Sequence, residues 1–302
     1  AYPHLVPESG RAAREMALGT IAVDPAGIRC PTLVLGAEHD HITPASVQRK
    51  IAERYRSKYL EGQGHGHLGP PSDLADPVTP DDVDVSAVLV DGPWTHRVVS
   101  ANGIGLHVAE AGTGPLVLLL HGFPEFWWSW RHQLVGLADA GFRVVAPDLR
   151  GYGASDKPPR GYDAVTLAAD VAGLVRALGE RDATIVGHDW GGLLAWTVGT
   201  LHPRVVRRLV VLGAAHPVRL RAAMLTDPRG QLRASGYAFA FQTPRYAESL
   251  LTRNDAEYVG ELLERWSGPS WRRSGDHYEA IRRYREAIRI PKTAHCALEY
   301  HR

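Results

Sequence analysis

The segment VGHDWGG, residues 186–192, holds an aspartate, Asp189, between a glycine two positions before it and another two positions after it. It follows an apolar strand pattern, ATIV, and precedes a helical one, LLAWTVGTLH. Glycines at those distances allow a tight strand-to-helix turn that lifts the central side chain into the open. The next backbone N–H and the helix N-terminus then face any negative charge that develops there. Gly-x-Asp-x-Gly fits a nucleophile elbow with aspartate in place of serine; the plainer reading is a glycine-rich turn whose Asp caps the helix. A second segment, LLLHGFPEFWWSW at 118–130, ends a strand in His-Gly-x-Pro. Gly122 permits close backbone approach there, and the N–H of Phe123 can join that of Trp190 as a two-donor oxyanion hole. A third, APDLRGYGASDKP at 146–158, is a strand followed by a glycine-punctuated loop.

Together these motifs resemble the α/β-hydrolase superfamily, and HGFPE with GHDWGG is similar specifically to the epoxide hydrolases. The resemblance takes in nearly the whole chain outside residues 69–92. It implies a histidine base and an orienting acid, which in that family both follow a helical lid. Here the lid region is followed by nothing suitable, whereas Asp40 closes GAEHD after one strand near the front and His65 closes GQGH after the next. Residues 1–68 thus resemble the family's C-terminal third placed first, an order of circular permutation. Triad geometry depends on adjacency in space and not along the chain. The match to GxGH favours His65 over its neighbour His67, and Asp40 has a rival in Glu38. His121 and His188 flank the site without serving as base, the first bracing the oxyanion loop and the second packing beneath the elbow. The family's closing amphipathic helix is poorly matched by GHLGPPSDLADP.

The resemblance assigns each residue a task. An epoxide offers sp3 carbons, so a serine nucleophile would form an ether that water does not readily cleave, whereas a carboxylate forms an ester. Asp189 is already ionised at neutral pH and attacks without a base. His65, oriented by Asp40, activates water against the ester, and the N–H groups of Phe123 and Trp190 hold the tetrahedral intermediate. The leaving oxygen needs an acid, and a lid tyrosine stays protonated at neutral pH. SGYAFAFQTPRYAESL resembles the family's first lid segment and puts Tyr237 at the ring-opening position; HCALEYHR offers Tyr300 as the second. Relatives commonly have Tyr directly before this Arg, where the present chain has His301. Phe123, Trp127 and Trp190 are expected to bind substrate. A haloalkane or haloacid dehalogenase would use the same Asp-His-Asp set with Trp190 as halide donor, although Glu125 after HGFP suits epoxide hydrolases better. A pseudoenzyme that only binds its ligand is the reading from another class.

The elements that must position these residues alternate between short apolar runs and helical patterns, which predicts an α/β protein with a mainly parallel sheet. Strands are expected in PTLVLG, YRSKYLEG, THRVVSA, IGLHVAE, PLVLLLH, RVVAPD, ATIVGH and RRLVVLG, with a hairpin at Asn102-Gly103. The expected organisation is hydrolase core at 1–68, linker at 69–92, core at 93–217 and a helical cap at 218–302. With 302 residues, 44% apolar and 22% charged, the chain can bury one large core. A formal charge of +1 provides no basic field for nucleic acid or anionic membrane. Cys30 and Cys296 are too few for a disulfide framework, and LVLLL at 116–120 is too short to span a bilayer. AYPHLVPESG has no signal-peptide pattern, and its missing Met reads as a trimmed start or a fragment. The expectation is a cytoplasmic monomer or homodimer acting on a small hydrophobic epoxide, with no cofactor and no metal.

Overall fold

A computed structural model describes residues 32–37, 58–62 and 83–302, with the exception of residue 234. Eight strands form one sheet: β1 (Thr32–Ala37), β2 (Lys58–Gly62), β3 (Thr95–Ala101), β4 (Ile104–Ala111), β5 (Leu116–Leu120), β6 (Arg143–Pro147), β7 (Ala183–His188) and β8 (Val206–Leu212). Their order across the sheet is β2-β1-β8-β7-β5-β6-β4-β3. β4 runs antiparallel to both its neighbours, and every other pairing is parallel. β1 and β2, first along the chain, thus extend the sheet beyond β8, with Leu33 opposite Val210 and Lys58.

Sequence explains where each strand sits. β5 is Leu-Val-Leu-Leu-Leu, buried at all five positions, as a central parallel strand covered on both faces must be. β3 pairs on one side only, and Val98 on it is 67% exposed, so its alternation survives as an edge. The turn between β3 and β4 places Asn102 and Gly103 at positive φ, the backbone a tight hairpin needs.

The helices are α1 (Arg131–Asp139), α2 (Ala164–Ala177), α3 (Trp190–Leu201), α4 (Pro217–Thr226), α5 (Tyr237–Ala240), α6 (Tyr246–Trp266), α7 (Pro269–Arg272), α8 (Gly275–Ile288) and α9 (Thr293–Glu299). α2 is capped by Asp163, whose carboxylate accepts from the N–H groups of Val165 and Thr166. It packs with α3, which lies on β7 and β8. α6 is broken at residues 253–256, where Asn254, Asp255 and Ala256 all take positive φ, and it packs on α8 and α9. From β8 to Arg302 the described residues contain helices and no strand.

The connection at 69–92, expected to be a linker, is anchored at its described end. Asp84 caps a 3-10 turn, Val85–Val88, whose Val88 is fully buried and which touches α8. The Val88 carbonyl accepts from Trp127 Nε1 at 2.7 Å, and the Val90 carbonyl accepts from Trp94 Nε1 and His96 Nε2. Aromatic N–H groups that need buried acceptors thus bind a segment whose Pro and Asp content reads as linker.

Candidate active site

Asp189 stands between β7 and α3 at φ 51°, ψ −118°, a strained combination for a residue with a side chain, of the kind that costs about 1–3 kcal/mol. Steric room for it comes from glycine. A Cβ on Gly187 would collide with the Gly191 carbonyl, and one on Gly191 would collide with the Leu120 carbonyl, so the turn closes only without side chains there. The Asp189 N–H donates to the Leu212 carbonyl of β8 at 3.2 Å, and its carbonyl accepts from Leu193 N–H in the first turn of α3.

The oxyanion loop meets this turn. A Cβ on Gly122 would lie 2.5 Å from that of Asp189, so only glycine lets the loop approach. Phe123 N–H donates to Asp189 Oδ1 at 2.9 Å, and the Trp190 N–H also bonds the carboxylate. Two backbone donors therefore converge on the Asp189 carboxylate. Asp189 is only 8% exposed. Burial raises its pKa to about 6, against the lowering effects of His188 and of the two N–H groups.

The loop is held from behind. His121 is fully buried; Nδ1 donates to the Gly122 carbonyl at 2.9 Å and Nε2 accepts from Leu149 N–H at 3.0 Å, which fixes its tautomer and ties the loop to the segment after β6. Glu125 accepts from Gly122 N–H at 3.1 Å and pairs with His188 Nδ1 at 3.3 Å. Burial works to raise the Glu125 pKa, but His188 and the Gly122 N–H bring it below the ordinary value. His188 does not pack beneath the elbow: its side chain is 43% exposed. Strand alternation explains this, since along β7 Ala183, Ile185 and Gly187 are buried and Thr184, Val186 and His188 are not.

Four of the aromatic residues named from the sequence have different surroundings. Trp190 is half-buried, and its indole Nε1 donates to His301 Nε2 at 2.9 Å. Trp127 is fully buried, with its N–H groups committed to Val88 and Asp148 and its ring against Trp94, His96 and Phe126. Of these partners Val88, Phe126 and Asp148 are fully buried, and Trp94 and His96 partly so. Tyr237 opens α5 and stacks edge-on with Trp266, Phe241 and His301, at 5.2, 5.6 and 5.9 Å between ring centroids. Tyr300 is buried, and its hydroxyl donates to the Arg150 carbonyl at 2.8 Å. Asp40, Glu38, His65 and His67 lie outside the described residues.

Sequence reading gave no role to Phe241 or His301. Their rings lie 5.4 and 4.9 Å from that of Phe123. For His301 a signal was present, the departure from Tyr before Arg; for Phe241 there was none beyond its place in an aromatic run. Among the described residues no group of His, Cys, Asp and Glu is arranged to hold a metal ion, and no helix is long and apolar enough to cross a membrane.

A strained aspartate between a strand and a helix, faced by two backbone donors, on a mostly parallel sheet, is the construction of an α/β hydrolase. Residues 115–274 match the family model described as alpha/beta hydrolase fold, and the chain belongs to that family. It is 39% identical over 211 residues to the AB hydrolase superfamily protein YfhM of Bacillus subtilis (strain 168), covering 68% of this chain and 72% of that one. It is 45% identical over 166 residues to epoxide hydrolase 3 of Xenopus tropicalis, covering 54% of this chain and 45% of that protein. The chain spans about half the length of the curated epoxide hydrolases it matches. Among solved structures, an epoxide hydrolase from Vigna radiata superposes with a TM-score of 0.58 at 31% identity, over 70% of this chain and 72% of that one.

Proposed function

We propose that the chain is an epoxide hydrolase that converts a small hydrophobic epoxide and water to a vicinal diol through an ester on Asp189. The observation that carries this reading is the carboxylate itself, held at Oδ1 by Phe123 N–H in the place of a nucleophile. Its other oxygen attacks the epoxide carbon, the carbon–oxygen bond of the ring breaks, and the ring oxygen takes a proton from Tyr237. Tyr300 serves as second donor only by giving up its bond to Arg150. His65, oriented by Asp40, then removes a proton from water as it adds to the ester carbonyl. Oδ1, already lying against Phe123 N–H, bears the developing charge, where such donors are most effective. The intermediate then collapses, the bond from the Asp189 carboxyl carbon to the alkyl oxygen breaks, and that oxygen leaves in the diol with the proton held by His65.

Residues 1–68 act in this reading as the family's C-terminal part in permuted order, and 218–302 as a cap over the site. Support for the first comes from β1 and β2 continuing the sheet past β8, and for the second from Phe241 packing on Phe123, His301 on Phe123 and Trp190, and Tyr237 on both Phe241 and His301. The chain works as a monomer or homodimer, in the cytoplasm.

The roles separate in time, so one experiment tests them. His65→Gln should open one epoxide and stall, giving one added substrate mass per chain that peptide mapping places on Asp189. His67→Gln should turn over almost normally, and Asp189→Asn should give no adduct at first exposure. An adduct elsewhere, or none in His65→Gln alongside full turnover, refutes the two-step reading.

A further inference from the structure

Two consecutive side chains after α9 meet different surroundings. Tyr300 lies among Tyr152, Tyr162 and Trp190 with its hydroxyl on the Arg150 carbonyl. His301 lies instead against Phe123, Trp190 and Phe241, with ring centroids 4.9, 4.9 and 5.1 Å away. Phe123 and Trp190 are the two residues whose backbone N–H groups hold the Asp189 carboxylate. His301 therefore borders the nucleophile through both.

Its hydrogen bonds assign both ring nitrogens. An indole nitrogen only donates, so His301 Nε2, 2.9 Å from Trp190 Nε1, is the unprotonated acceptor. The proton then sits on Nδ1, 3.2 Å from the Ala297 carbonyl. The backbone is fastened as well: Gln242 Nε2 donates to the His301 carbonyl at 2.6 Å, and Arg302 Nε donates to the Phe241 carbonyl at 3.1 Å. His301 is 4% exposed, and burial lowers its pKa to about 3, which keeps the ring neutral.

We infer that His301 is a specificity-determining positioning residue, which by accepting the Trp190 indole N–H fixes the side chain of the residue that follows Asp189 and withdraws its donor from any leaving group. The inference rests on the proposed function in naming the leaving group that remains acceptable. When a carboxylate displaces a halide from carbon, the halide departs as a free anion and must be held by donors. When it opens an epoxide, the oxygen stays tethered and needs a proton instead. With the indole occupied and no proton on His301 Nε2, neither supplies that proton, and a phenol, Tyr237, stands beside His301. The site is thereby biased toward a tethered oxygen and away from carbon–halogen bonds.

The test is made on the full chain labelled with nitrogen-15. The Trp190 indole resonance, assigned by its loss in Trp190→Phe, should not move when sodium bromide replaces sodium sulfate at equal ionic strength. His301→Phe keeps a ring but removes the acceptor; the resonance should shift, and apparent bromide affinity should rise roughly fivefold or more, the order set by one neutral hydrogen bond. His301→Gln supplies an amide oxygen as acceptor and should restore insensitivity to bromide, which a merely space-filling role would not. Bromide titration of Trp190 in the unaltered protein, or no change in His301→Phe, overturns the inference. Should His301→Phe not fold, the imidazole spectrum of the unaltered chain decides: an unprotonated Nε2 supports it and a protonated Nε2 overturns it. None of these readouts needs epoxide turnover, so failure of the epoxide reading would be seen separately.

Discussion

Replacing Asp189 by Asn should stabilise the chain at neutral pH while removing the proposed nucleophile. The carboxylate is 8% exposed, and burial raises its pKa to about 6. Against an unfolded value near 3.9 this is a shift of about two units, or roughly 3 kcal/mol. Between about pH 4 and pH 6 the unfolded chain has lost this proton while the folded chain keeps it. The folded state then binds more protons, so stability falls as pH rises through that window and levels off above it. Asparagine has no charge to desolvate, still offers an oxygen to Phe123 N–H, and is among the residues that best tolerate positive φ. The two proteins should therefore be about equally stable near pH 4, with the gap opening to about 3 kcal/mol in favour of Asn by pH 7. Urea unfolding of both across that range reads the gap at each pH, and other titrating groups cancel in the difference. A gap that does not change with pH, or an Asn variant less stable at neutral pH, would refute the argument that desolvation of this carboxylate opposes folding.

Single-turnover alkylation by the unaltered chain should fall about tenfold per pH unit below about pH 6, because only the ionised carboxylate attacks. A rate that holds level down to pH 5 would mean that Asp189 titrates in the ordinary carboxylate range. Tyr237→Phe keeps the ring that packs on Trp266 and removes the proposed proton donor, so alkylation should slow by about two to four orders of magnitude with less change in substrate binding. Stopped-flow single-turnover kinetics checks this, and unaltered rates would move the role to another residue.

Local chemistry made the sheet and the elbow legible in the sequence. ATIVGH and THRVVSA coincide with β7 and β3 as strands, because β-branched runs bounded by turn residues leave the backbone few alternatives. The glycines around Asp189 and at Gly122 could be read as room for a close approach, since nothing larger fits against the Gly191 and Leu120 carbonyls or the Asp189 side chain. What the sequence could not decide were matters of partner and orientation. His188 was expected beneath the elbow, but the pleat of β7 turns it outward to Glu125. Residues 83–92 carry the composition of a linker, yet the buried indole of Trp127 takes the Val88 carbonyl as its acceptor. Tyr300 and His301 are adjacent aromatic residues, and only the packing after α9 sends one hydroxyl to Arg150 and the other ring to Trp190. Motifs and periodicity are properties of adjacent residues and survive in the sequence; which buried donor meets which acceptor across more than a hundred residues is set when the tertiary structure removes water from both.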